Sequence, residues 1–121
     1  MDIKNLAEVS AFITKDGSEI RELLACRNSS IRNQSLAEAR LPQGGSTQEH
    51  YHPLAEEIYY ITQGSGRIRI EGEMQDVKSG DAIAIPPGSK HKLWNTGQGE
   101  LRLLCCCAPG YEHADTVITE S

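Results

Sequence analysis

Apolar and polar residues alternate with a period of two over much of the second half of the chain. In Arg67-Ile68-Arg69-Ile70-Glu71 both isoleucines fall on one face and the charges on the other, before Gly72 turns the chain. Ala82-Ile83-Ala84-Ile85 is a small–large alternation ended by Pro86 and Pro87, which cannot donate to a central ladder. Leu101 to Ala108 is apolar on both faces toward its distal end, as a strand buried on both sides would be, and Glu57-Ile58-Tyr59-Tyr60-Ile61 is similar. In that second run Ile58 and Tyr60 are expected to pack between sheets or against a partner subunit. Asn33 to Leu41 also reads as a strand. Glu19 to Ala25 is predicted as a short helix: Ser18 stands at the cap, Glu19 and Glu22 in the first turn, and Ile20, Leu23 and Leu24 on one stripe. Turn residues recur at short intervals, from Asp16-Gly17 to Pro109-Gly110. Many short strands between frequent turns predict an all-β sandwich or barrel.

Composition narrows the picture. At 121 residues and 13.3 kDa the chain has the size of one domain. We divide it into an N-terminal arm with the short helix (1–34), a β-barrel (35–110) and a C-terminal tail (111–121). Twelve basic against seventeen acidic residues leave a net charge of −5, which disfavours surfaces built for nucleic-acid phosphates or anionic lipid. A mean hydropathy of −0.45 and the lack of any apolar run near the ~20 residues of a membrane span predict a soluble protein. Met1 to Ile13 interleaves charge with apolar residues, unlike a signal peptide, so a cytoplasmic location is expected. The run Cys105-Cys106-Cys107 has no C-x-x-C spacing and reads as the end of a buried strand, where cysteine acts as a small hydrophobe.

The chemistry concentrates in two places. One is His50-Tyr51-His52 followed by Glu57; the other is His91, just past the turn stiffened by Pro86 and Pro87. On a strand, residues i and i+2 project to the same face about 6.5–7 Å apart, so two imidazoles can converge on one ion. Pro53 and the residues after it reverse the chain, so Glu57 can add a carboxylate. Three imidazoles and one carboxylate suit divalent Mn, Fe, Co, Ni, Cu or Zn better than calcium or magnesium. On an octahedral ion, four protein ligands leave two adjacent positions for water, substrate or dioxygen.

These residues resemble the cupins. The first cupin motif is a glycine, five residues, His-x-His, three or four residues, a glutamate, six residues and a glycine; Gly44, His50, His52, Glu57 and Gly64 fill it. In the second motif Gly80, Pro86, Gly88, His91 and Asn95 stand at the required spacing. The resemblance implies a double-stranded β-helix, or jelly-roll, barrel with the metal inside, His50, His52, Glu57 and His91 as ligands, and a homodimer as the usual assembly. The tail from Leu103 to Pro109 is similar to small single-domain cupins of the mannose-6-phosphate isomerase type. The six-residue step to Gly64 selects Glu57 over Glu56, which falls on the opposite face.

Tyr59 shares the face of Glu57 and is the candidate general acid or base, because a phenol beside a divalent cation loses its proton more readily than in water. The competing reading is a packed ring, which many cupins without lyase activity also have. Trp94 is read as a packing or interface residue, His113 as a surface residue, and Arg67 and Arg69 as a solvated stripe. Lys90 and Lys92 flank His91 and could attract an anion. The expected function is metal-dependent isomerase, epimerase or lyase chemistry on a small sugar or hydroxy acid. The alternatives are an iron-dependent dioxygenase and a non-catalytic, metal-dependent protein that binds a small molecule.

Overall fold

Strand periodicity decides which side chains line the interior, and the clearest case is a pair of long neighbouring strands. The structure is a computed structural model describing residues 1–120. Its strands are β1 (Phe12–Ile13), β2 (Glu19–Leu24), β3 (Ser35–Leu41), β4 (His50–Tyr51), β5 (Glu56–Gln63), β6 (Ser65–Ile70), β7 (Glu73–Lys78), β8 (Ala82–Ile85), β9 (His91–Asn95), β10 (Leu101–Ala108) and β11 (Val117–Ile118). In β5, Glu57, Tyr59 and Ile61 are buried while Glu56, Ile58 and Tyr60 are exposed. In β10, Leu101, Leu103, Cys105 and Cys107 are buried and the alternate residues half-buried. Ile58 and Tyr60 therefore lie on the outer face at 51% and 44% exposure, not between the sheets.

All pairings are antiparallel. They form one six-stranded sheet, β1-β2-β3-β10-β5-β8, and one five-stranded sheet, β11-β4-β9-β6-β7. Ala39, Leu41, Ile61, Ile83 and Leu103 from the first meet Ile68, Val77 and Leu93 from the second in a single core. This is the jelly-roll arrangement, but no ladder among the described residues joins the two sheets into a closed ring. One contributor is the end of β8 at Pro86-Pro87, which offers no N–H to continue a ladder. No helix in the described residues is long and apolar enough to cross a membrane.

The helix predicted over Glu19–Ala25 is strand β2. Ile20, Arg21 and Glu22 pair with Ala39, Glu38 and Ala37 of β3. Seven residues are too few for a stable isolated helix, whereas a neighbouring strand satisfies their backbone directly. Ser18 caps nothing; its hydroxyl lies 2.6 Å from Asp16 Oδ1. Helical structure among the described residues is limited to 3-10 turns at Leu6–Glu8 and His113–Asp115.

Two features fix the chain at the strand ends around β6 and β9. Gly64 turns the chain between β5 and β6 at φ 89°, a conformation that disfavours a side chain. Asn95, 6% exposed, donates from its amide nitrogen to the carbonyls of Leu41, Pro42 and Gly99 at 3.1, 3.0 and 2.8 Å, and its Oδ1 accepts from Gly97 N at 3.0 Å. Removing it strands several polar groups at once. Asn95→Ala is expected to lower unfolding free energy by about 1–3 kcal/mol, measured by urea denaturation. Arg67→Ala, which breaks an exposed pair with Asp76, is expected to cost at most about 1 kcal/mol.

Candidate metal centre

Sheet register brings the four polar side chains together. His50 of β4 lies directly opposite His91 of β9. Glu57 enters from the facing sheet, paired with Ile85 on one side and Cys107 on the other. His52 follows β4, where its carbonyl accepts a 2.8 Å hydrogen bond from Gly88 N in the turn before His91. All four side chains are buried, with exposures of 2% for His50, 4% for His52, 6% for Glu57 and 0% for His91. The ligand nitrogens of the three histidines lie within 4.8 Å of one another.

Backbone carbonyls set the orientation of every ring. His50 Nδ1 is 2.8 Å from Gln48 O, His52 Nδ1 is 3.0 Å from Asp115 O, and His91 Nδ1 is 2.9 Å from Ser89 O. A carbonyl only accepts, so each Nδ1 carries a proton, and in its neutral form each imidazole turns its Nε2 lone pair inward. Outer partners of this kind orient metal-ligating histidines and raise their basicity.

The carboxylate completes the picture. Glu57 Oε1 lies 3.4 Å from His52 Nε2 and 3.5 Å from His91 Nε2. Glu57 Oε1 and His91 Nε2 are buried with no hydrogen-bond partner, an expensive state for polar atoms unless a cation satisfies them. Glu57 Oε2 is occupied, accepting from Cys107 Sγ at 3.2 Å. The donor set therefore fits a divalent transition-metal ion: three imidazole nitrogens that could hold it and one oxygen left free beside them.

Electrostatics agree with a site built for positive charge. Burial favours the neutral acid of Glu57, but the imidazoles of His52 and His91 outweigh it and hold the carboxyl at about 2. Burial also works against a charged His52, yet Glu57 overcomes it and raises the imidazole above its ordinary value. For His50 burial prevails, aided by His91, and the value falls. Tyr59 lies edge-on to His91, with ring centroids 5.8 Å apart. Burial and the Glu57 charge push its phenol well above 10, so in the metal-free protein it keeps its proton.

Residues 37–107 match the family described as Cupin domain. The chain belongs to the cupin family. An uncharacterized protein of Methanocaldococcus jannaschii, MJ1618, is 48% identical over 113 residues, which is 93% of this cupin and 90% of that protein. The crystal structure of a predicted oxalate decarboxylase from Thermotoga maritima superposes with a TM-score of 0.78 at 27% identity, covering 88% of this chain and 98% of that one. The polyketide cyclase RemF from Streptomyces resistomycificus has a TM-score of 0.84 at 23% identity over 100% of this chain and 87% of its own, a likeness of fold.

The remaining residues singled out in the sequence stand away from the centre. Glu56 is exposed, and His113 is exposed beside the Tyr111 hydroxyl. Lys92 is held by Glu120 at 2.7 Å, Arg69 by Glu49 at 2.9 Å, and both cations stack over Trp94 on the outer face. Sequence reasoning missed several residues at the site. Cys107 touches Glu57, the Asp115 carbonyl orients His52, and Asp16 Oδ2 lies 3.4 Å from His50 Nε2. Cross-strand pairing of β5 with β10 would have pointed to Cys107; Asp16 and Asp115 carry no local signal beyond turn chemistry.

A cation at His52 Nε2 must displace the proton that Glu57 favours there. Metal affinity is therefore expected to weaken as pH falls, beginning above the ordinary imidazole value of about 6.5, by up to about tenfold per pH unit for each proton displaced. Titration calorimetry in buffers of different ionisation enthalpy measures both the affinity and the proton release. An affinity independent of pH would contradict the arrangement.

Proposed function

We propose that this cupin is a divalent-metal-dependent enzyme acting on a small hydroxy- or keto-acid-type molecule, with His50, His52, His91 and Glu57 as ligands. The observation that carries the reading is the buried pair of unpartnered atoms, Glu57 Oε1 and His91 Nε2, facing each other across 3.5 Å among inward-turned imidazoles.

The cavity above these residues supports the size and chemistry of the substrate. Its volume is about 50 Å³, the scale of a ligand of a few heavy atoms. Its walls include Ala37, Ala39, Leu41 and Leu103, and no lysine or arginine lines it. A phosphate group would find no cationic side chain there, so a sugar phosphate fits less well than a small acid whose oxygens bind the cation. When bound, a divalent cation supplies Lewis-acid polarisation of a carbonyl or carboxylate oxygen. The chain's own part is to hold that oxygen in a low-dielectric cavity whose wall includes Tyr59, edge-on to His91 and kept protonated by burial. Isomerase, epimerase and lyase reactions share these needs. The likeness to the T. maritima predicted oxalate decarboxylase favours the lyase arm.

The test is to load the protein with Mn, Fe, Co, Ni, Cu and Zn in turn and incubate each form with small hydroxy, keto and dicarboxylic acids, following product by NMR. Metal-dependent conversion is expected, with His52→Ala losing most of the bound metal while retaining its β-type circular dichroism. Recovery of every acid unchanged, with a raised melting temperature, would replace catalysis by metal-dependent binding. Full metal occupancy in His52→Ala would refute the ligand set.

A further inference from the structure

The hairpin joining β1 to β2 folds over the cavity and carries Asp16 at its tip. Three hydrogen bonds converge on one oxygen of this side chain: Oδ1 accepts from Thr14 Oγ1 at 2.7 Å, Ser18 N at 2.9 Å and Ser18 Oγ at 2.6 Å. These explain why an aspartate forms the turn. They leave Oδ2 without a role in it, and Oδ2 points at His50 Nε2, 3.4 Å away. The hairpin tip is tied down independently: Gln48 N donates to Asp16 O at 2.8 Å, and Lys15 Nζ donates to Thr116 O at 2.8 Å. The carboxylate is thus held in place before any ligand arrives.

The contact makes poor sense as a simple hydrogen bond. His50 commits its Nδ1 proton to Gln48 O, so the neutral ring presents a lone pair to Asp16 Oδ2. Asp16 is half-buried and His50 buried, and two acceptors facing each other at such a site are relieved by a cation between them or beside them. The spacing matches that of Glu57, whose Oε1 lies 3.4 Å from His52 Nε2 and 3.5 Å from His91 Nε2. Two ligands at about 2.0–2.2 Å from one metal subtend roughly 110° at such a separation, within the range of common coordination geometries.

We propose that Asp16 is a second carboxylate ligand of the metal centre, delivered beside His50 by the β1–β2 hairpin, whereas Glu57 lies beside His52 and His91. This rests on the metal-centre reading above. The donor set becomes three nitrogens and two oxygens, and an octahedral ion keeps one open position. A small acid would then bind through one oxygen unless the hairpin moves aside to free a second position.

Asp16→Asn tests this, because the amide oxygen can still accept all three turn hydrogen bonds while an –NH₂ replaces Oδ2. Co(II) and Mn(II) affinities are measured by competition with a chromophoric chelator, together with the Co(II) visible spectrum. The variant is expected to bind at least about tenfold more weakly and to show a changed ligand-field spectrum. Asp76→Asn, on the exposed β6–β7 hairpin, is expected to match wild type. A wild-type measurement guards against a variant that misfolds. In Co(II)-loaded protein labelled with ¹³C-aspartate, the Asp16 carboxylate resonance is expected to shift far outside its position in the Zn(II) form. Unchanged affinity and spectrum in Asp16→Asn, or an unshifted Asp16 signal, would overturn the proposal. Wild-type protein that binds no metal would instead refute the underlying metal-centre reading.

Discussion

Three imidazoles and a glutamate oxygen face one another in the buried interior, and the rest of the site is arranged around that unfavourable contact. Buried polar atoms without partners cost several kcal/mol in total, so such a cluster persists only where surrounding structure holds it and a ligand relieves it. The holding is visible atom by atom. Each Nδ1 is fixed by a backbone carbonyl, Glu57 Oε2 is fixed by Cys107, and Glu57 Oε1 and His91 Nε2 are left over. A divalent cation is the species whose charge and size answer all of these atoms together.

The two-sheet fold suits this task because it brings ligands from strands far apart in sequence to one point. β4 and β9 supply histidines from one sheet and β5 supplies Glu57 from the other, so the site forms only when the sheets pack. Asn95 and Gly64 belong to the same two motifs as the ligands, yet their work is structural: one satisfies the carbonyls where chain segments meet, the other makes the turn that brings β6 back beside β9. The cavity that remains is small, largely apolar and free of lysine and arginine.

Much of this was legible in the chain. The alternation in Arg67–Glu71, Ala82–Ile85 and Leu101–Ala108 foretold strands; the structure groups His50, His52 and His91, with Glu57 Oε1 3.4 and 3.5 Å from two of them. The misreading of Glu19–Ala25 has a physical cause. Its apolar residues satisfy a helical stripe as well as one strand face, and only pairing with β3 decides between them. Ile58 and Tyr60 pattern as buried residues but face outward, because period two fixes that a face is distinct without saying what covers it. Asp16 was readable only as a turn residue. Its approach to His50 depends on the hairpin folding back across the cavity, a long-range event with no local signature.

The most direct test of the central claim is anomalous X-ray diffraction from crystals of the metal-loaded protein, collected on both sides of the metal's absorption edge. One strong peak is expected within about 2.0–2.3 Å of Nε2 of His50, His52 and His91 and of Glu57 Oε1. A peak bound elsewhere, or none at this cluster despite stoichiometric metal in solution, would contradict it.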